Sequence, residues 1–499
     1  MTTSLLYASI AGPTALLLAG IGHKPRLLQL ATLLNLGTAL ALALAVASWG
    51  TLETPLLGVA GLGLSLRADP LAVTLLVMVS LLGLVLFAYG QSYLEGSPRR
   101  GVFLARIAQV LFAVECLLLA GNLVVFVAAW TGASLALHRL LLFFPERRRA
   151  QLAARKKFLV ARASEVCLLL AAALLYRSAG SGELDVICAA GSASALPALL
   201  LALAALIKSA QFPTQGWLLE LMETPTPVSA LLHAGVLNAG PFLILRFAPA
   251  LSESAVAGCL LVGVGGLTAL VASAAMRTQP TVKVALAYSS SAHMGFSLLL
   301  CGLGAYPAAL LHLVAHSFYK AHAFLSAGSA IDRARAPRFA PTERLQSLPR
   351  LALALALAIC LFAGATQLTG VELSEHPGVA AFAVVLSVAL AQLFAPALDA
   401  RATLWLRSRL LIRGAGVLLA FFCLEELARW SLRLPAAPAL AGPKALVSGL
   451  VLGGFALAGA AQLLDPRGTS RPAAALQAHL RNGLYANALF DRLVGAYRR

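Results

Sequence analysis

ALPALLLALAALIKSAQFPTQGWLLELMETPTPVSALLHAG, residues 195–235, decides how this chain is read. Every residue from Ala195 to Ile207 is Ala, Leu, Ile or Pro, so the ammonium of Lys208 ends an apolar helix with no water nearby. A charge in that setting is costly unless paired and marks a functional site by default. A buried lysine also takes up and releases protons more readily than a solvated one. Five residues on, Pro213 removes a backbone donor and breaks the helix. The element that carries the charge is therefore discontinuous, as ion sites in transporters are.

The rest of the chain has the same character. Its 499 residues are 60% hydrophobic and 12% charged, with mean hydropathy +0.85, and apolar runs of about 20 residues recur throughout. This composition predicts an all-α polytopic membrane protein embedded in lipid. The N-terminal MTTSLLYASIAGPTALLLAGIG has no basic n-region or clear cleavage site and reads as a first span. A net charge of +18 would suggest nucleic acid in a soluble protein; here the positive-inside rule accounts for it, and no nucleic-acid partner is expected. The seven cysteines are isolated within apolar runs, with no CxxC pair or metal spacing. No haem, cluster or nucleotide motif is present, so no cofactor is expected.

About fifteen transmembrane helices are predicted, from 4–22 to 444–464, with 196–223 broken. Their connections alternate in charge. One set holds Lys24 and Arg26, Arg99 and Arg100, the run from Arg147 to Lys157, Arg277, Arg333 to Arg344, and Arg401 to Arg409; the other holds Glu53, Asp69, Glu183, Asp185, Glu253, Glu372 and Glu375. Arg433 is an exception. The basic loops are accordingly expected in the cytoplasm, with the N-terminus outside and the C-terminus inside. Residues 466–499 read as a short cytoplasmic or interfacial tail.

Other ionisable groups fall inside predicted spans. His312, His316 and Lys320 stand at i, i+4 and i+8, along one side of a helix with a drift of about 40° per step. Imidazoles titrate near neutral pH and pass protons along water chains, though hydrogen-bonded histidines also glue helices together. His233 lies two turns into the next span after the Thr224-Pro225-Thr226-Pro227 turn, with Asn238 and Arg246 beyond it. His322 lies off the stripe and reads as structural. Glu165 and Glu115 are candidate carboxylates of the path. Glu220 and Glu223 read either as a solvated helix end or as a proton antenna. Lys283, Tyr288, Ser289, Ser290, Ser291 and His293 form a polar patch that either hydrates a cavity or packs on a neighbour, and His138 and Arg139 are expected to snorkel.

KSAQFP…METPTPVSALLHAG and VKVALAYSSSAHMGF…HLVAHSFYKAHAFLSAGS resemble the antiporter-type proton-pumping subunits, which include distal membrane subunits of respiratory complex I and large Mrp antiporter subunits. The resemblance covers about residues 95–335. Within that superfamily, SLALHRLLLFFPERRRAQLAARKKFLVAR is similar to the membrane subunits of DAB-type inorganic-carbon accumulation complexes. It implies N-terminal helices over 1–93, two inverted five-helix repeats over 94–248 (the proton half-channel) and 249–400, and C-terminal helices over 401–465. By position, Lys208 matches the broken-helix lysine, His233 the relay, His312, His316 and Lys320 the central axis, and Glu165 an acid after the basic loop. Two departures stand out. Complex I-like members have W-E-G where this chain has Trp130-Thr131-Gly132, and the second repeat offers Glu372, Glu375 and His376 in place of a lysine.

The expected function is that of a cation-conducting, proton- or sodium-carrying, non-enzymatic subunit in the cell (inner) membrane. The resemblance implies a large peripheral zinc-containing partner that hydrates CO2, since this sequence shows no Cys/His/Asp cluster for the zinc. A complex I-like pump or an Mrp-type antiporter subunit is the alternative.

Overall fold

The computed structural model describes residues 2–22, 25–191, 194–329, 348–372, 377–399, 402–432, 440–464 and 470–493. Lys24, Arg333, Arg335, Arg338, Arg344, Glu375, His376, Arg401 and Arg433 lie outside the described residues. Without water in the hydrocarbon, backbone groups must be satisfied within the segment, so apolar runs become helices. Ten described helices are long and apolar enough to cross a membrane. Three shorter apolar ones, Leu6–Ile21, Ala195–Lys208 and Gly378–Phe394, accompany them. The more polar helices Tyr306–Leu325 and Leu404–Leu432 lie at two further expected positions.

Three departures from the sequence reading have physical causes. The N-terminal span is two helices, Thr2–Ser9 and Ala11–Ile21, because Pro13 has no N–H to donate to the Ser9 carbonyl. The connection before Pro70 is not plain coil. Leu52–Glu53 pairs with Arg67–Ala68, and Leu57–Val59 pairs with Leu62–Leu64, both antiparallel. Its turn, Ala60-Gly61, has both residues at positive φ (53° and 73°), which matches the twist of a two-residue hairpin. The third departure concerns the basic run. Lys156 and Lys157 are buried, not loop residues, because the helix Arg148–Ala179 starts nine residues before its expected start at Lys157. Ala150, Ala153, Ala154 and Lys157 stand at i, i+3, i+4 and i+7, the spacing of a buried stripe.

Two helix contacts position the site. Ala255–Met276 packs along Val282–Leu303, where a Cβ on Gly265 would stand 2.6 Å from the Gly295 carbonyl oxygen. Only glycine allows that approach, the small-residue packing usual between membrane helices. At the hairpin end, Asp69 accepts from the Ala72 amide at 2.9 Å and caps Pro70–Tyr93. Its two oxygens also receive the Arg246 guanidinium as a fork, one bond at 3.2 Å. This ties the end of the segment that carries His233 to the start of another helix.

Burial alone would raise the Asp69 carboxyl, but the Arg246 charge outweighs it and holds the group down at about 2. A depressed folded value means that the clamp stabilises in full above about pH 4 and is lost as pH falls through about 2. Asp69→Asn leaves Arg246 buried without its anion and is expected to cost about 3 kcal/mol. Thermal unfolding in detergent should show the deficit undiminished from pH 7 to pH 5; a variant as stable as the wild type would remove the clamp's role.

Candidate functional site

The helix Ala195–Lys208 stops at its lysine. Pro213 cannot donate to the Ser209 carbonyl, so the last turn is not continued. Ala210 takes φ +51°, the Phe212 amide donates to Thr268 Oγ1 at 3.1 Å, and the Gln211 side-chain amide donates to the Ser209 carbonyl at 2.8 Å. Helical backbone resumes at Gly216–Leu219 and tightens to a 3-10 turn at Glu220–Glu223.

Lys208 is 8% exposed, and its Nζ has no hydrogen-bond partner among the described residues. It lies 4.4 Å from the centre of the Trp130 ring. The face of an indole attracts a desolvated cation by about 2 kcal/mol, so Trp130 compensates part of the charge. Two cavities flank the lysine. One of about 30 Å³ is lined by Trp130, Gly235, Asn238 and Leu313 among others. A second, of about 20 Å³, is lined by Lys157, Trp217 and Leu232. One water needs roughly 10–15 Å³ measured this way, so each cavity has room for at least one.

Carboxylate compensation comes from the neighbouring helix, not from position 131. Glu165 accepts from Arg162 Nη2 at 2.6 Å and from the Ser134 side chain. It lies within electrostatic range of both Lys208 and Lys157. Lys157 donates to the Ser134 carbonyl at 2.6 Å and to its hydroxyl at 2.9 Å. Ser134 thus sits between a buried ammonium and Glu165, a link that the sequence did not announce.

Glu115 belongs elsewhere. It is fully buried and accepts from Asn35 Nδ2 at 2.7 Å and Ser80 Oγ at 3.2 Å, among helices of the N-terminal part. The structure therefore does not bring it to Lys208.

The segment Thr226–Arg246 is a second interrupted helix. Thr226–Ala234 gives way to a 3-10 turn, Val236–Asn238, before Ala239–Arg246 continues. Pro241, which has no N–H for the Leu237 carbonyl, was the available signal. Asn238 repairs the gap: its Nδ2 donates to the Ala234 carbonyl at 2.9 Å and to Ser317 Oγ at 2.7 Å. The loosened turn lines the larger cavity beside Lys208 and is tied to the helix Tyr306–Leu325.

On that helix His316 and Lys320 are buried, and His312 is partly buried. Lys320 donates to the Leu286 carbonyl at 3.0 Å. His233 stacks on Phe324 at 4.4 Å and lies within electrostatic range of Lys320 and His316. His293, from the polar patch, joins the stripe across the helix interface. Its Nδ1 is 3.1 Å from His312 Nε2, and its ring centre is 4.8 Å from that of His316. Ring-nitrogen atoms of the three all lie within 4.8 Å of one another, a group that could hold a metal ion. Spacing along one helix could not reveal this.

The remaining predicted groups do not converge on Lys208. Lys283 is half-buried and has Arg147 as its charged neighbour. His322 is exposed. Glu220 is no free antenna: it accepts from Lys156 at 2.5 Å and from Asn487 at 2.9 Å, and Lys156 also pairs with Asp491. The side chain of Glu223 lies outside the described residues. A further buried acid, Glu425, pairs with Arg429 at 2.5 Å.

Residues 120–383 match the family model described as NADH:quinone oxidoreductase/Mrp antiporter, transmembrane. The chain is 44% identical over 268 residues to the probable inorganic carbon transporter subunit DabB of Hydrogenovibrio crunogenus, covering 52% of each chain. It is 36% identical over 350 residues to the probable subunit DabB2 of Halothiobacillus neapolitanus, covering 68% of this chain and 63% of that one. It thus spans about half of the first relative's length and under two thirds of the second's. Its backbone resembles a chain in the Mrp complex from Dietzia sp. DQ12-45-1b, with TM-score 0.61 and 27% identity, covering 95% of this chain and 52% of that one.

Asn238→Leu removes both bonds across the second helix break and leaves the Ala234 carbonyl without its partner, at a cost of roughly 1–3 kcal/mol. Amide hydrogen exchange in nanodiscs should accelerate at 235–239 while the helix Ala255–Met276 stays protected. Unchanged exchange at the break would show that Asn238 does not hold it.

Proposed function

The chain belongs to the NADH:quinone oxidoreductase/Mrp antiporter transmembrane family, and from that premise we propose that it is the proton-conducting membrane subunit of a two-component inorganic-carbon uptake complex. One observation carries the reading: a lysine with no hydrogen-bond partner among the described residues, seated on Trp130 between two water-sized cavities, with a carboxylate in range that is itself bound to Arg162. Glu165 has two partners to choose between. Turned toward Lys208 it favours the ammonium; held by Arg162 it leaves the ammonium to the indole face alone, and the proton passes more readily to cavity water. The proton then passes by the Asn238 break to His233 and Lys320, and along His316, His293 and His312.

Residues 94–248 act as the conducting half and 249–400 as its partner half. The loops with Arg99, Arg100 and Arg147–Arg149 face the cytoplasm of the cell inner membrane, and the hairpin at 57–64 faces outward. The names of the DabB relatives supply the substrate class. CO2 hydration is assigned to a large zinc-containing, DabA-like partner, with ion flow down its gradient as the drive. Thr131 in place of a glutamate argues against a quinone-driven pump. An Mrp-like sodium/proton subunit is the second reading, favoured by the backbone likeness to the Mrp complex.

Affinity purification of the tagged chain separates these readings. A large zinc-containing protein supports the first, and several small hydrophobic subunits support the second. Lys208→Ala should assemble normally yet fail to rescue carbonic-anhydrase-deficient cells in air. Glu165→Gln should weaken rescue without abolishing it. Full rescue by the Lys208 variant would sink the mechanism.

A further inference from the structure

We infer that His293, His312 and His316 form a binding site for one divalent transition-metal ion of the zinc, nickel or copper class. Two helices supply the ligands, Val282–Leu303 and Tyr306–Leu325, and they pack directly on each other. Tetrahedral zinc with bonds of about 2.0–2.1 Å places its nitrogens roughly 3.3 Å apart. His293 Nδ1 and His312 Nε2 already stand at 3.1 Å, and the whole set lies within 4.8 Å. A small rotation of one imidazole closes the triangle.

His316 gives an independent pointer. It is 3% exposed, and neither ring nitrogen has a hydrogen-bond partner among the described residues. A buried polar group in that condition calls for an explanation, and a coordinated ion supplies one. Three neutral imidazoles suit zinc, nickel and copper; sodium, magnesium and calcium require oxygen donors, and none is contributed by these three side chains. The fourth position remains for water.

The groups facing the cluster set its response to pH. Lys320 and His233 lie in electrostatic range of His316, and Lys320 also of His293. The Tyr319 ring is 6.3 Å from His293, while Phe296 packs on His312 at 4.9 Å. No carboxylate appears among these contacts. Imidazole ligates a metal ion only in its neutral form, so binding strengthens as pH rises. A bound ion would also immobilise three relay imidazoles and stop conduction, a consequence that rests on the proposed function.

The test uses the full chain in nanodiscs, washed with chelator, equilibrated with buffered free zinc and analysed for metal by mass spectrometry. The wild type and His322→Ala should each retain a single zinc ion per chain, with tighter retention at pH 8 than at pH 6. His293→Ala and His316→Ala should lose it. His293→Cys keeps a zinc ligand and should retain the ion, with a thiolate absorption band when cobalt(II) replaces zinc; this excludes misfolding as the cause of loss. Equal zinc in the wild type and in the His293→Ala/His316→Ala double variant overturns the site. Zinc retention needs neither gradient nor partner, so a chain that binds zinc but conducts nothing overturns only the proposed function.

Discussion

A single ammonium that the bilayer interior cannot solvate organises this molecule. Lys208 stands where an apolar helix ends, and the structure answers its charge with weak, adjustable compensation instead of a locked ion pair. An indole face, a carboxylate shared with Arg162 and Lys157, and two small cavities divide the task. A direct buried salt bridge would hold the proton in place, because removing either partner from such a pair is strongly unfavourable. Shared compensation does not lock the charge in one pair, as the proposed conducting role requires.

The second constraint is backbone continuity. Two adjacent segments break, one at Ser209–Gln215 and one at Gly235–Asn238, and both breaks adjoin the space around Lys208. Each break frees carbonyls that must find partners in a dry environment. Asn238 satisfies one and reaches Ser317 with the same amide group. The repair of a helix break thereby becomes a link to the helix of His316 and Lys320.

Much of this was legible in the sequence, and the failures share one cause. Pro213 located the first break and Pro241 could have located the second, since a missing N–H is a local property. The His312–His316–Lys320 stripe followed from helical spacing alone. Contacts between helices did not follow, because they depend on rotation and tilt that packing sets. Glu115 was grouped with Lys208 but faces Asn35 and Ser80. The sequence reads Lys156 and Lys157 as loop charges, although alanines at helical spacing mark a buried face. His293 was seen only as part of a polar patch. The hairpin at 57–64 was missed because a glycine-rich pattern between two long spans reads as coil.

The clamp at Lys156 has a bearing on how the molecule is made. Asn487, which accepts from this fully buried lysine, and Asp491, which pairs with it, belong to the last described helix, and Asn487 is 331 residues further along the chain. At ~5–20 residues per second of synthesis, those partners emerge roughly 20–60 s after the lysine does. Until then Glu220, 64 residues on, is the described carboxylate available to Lys156. A nascent chain thus meets the last two described partners of Lys156 long after its own helix has been made.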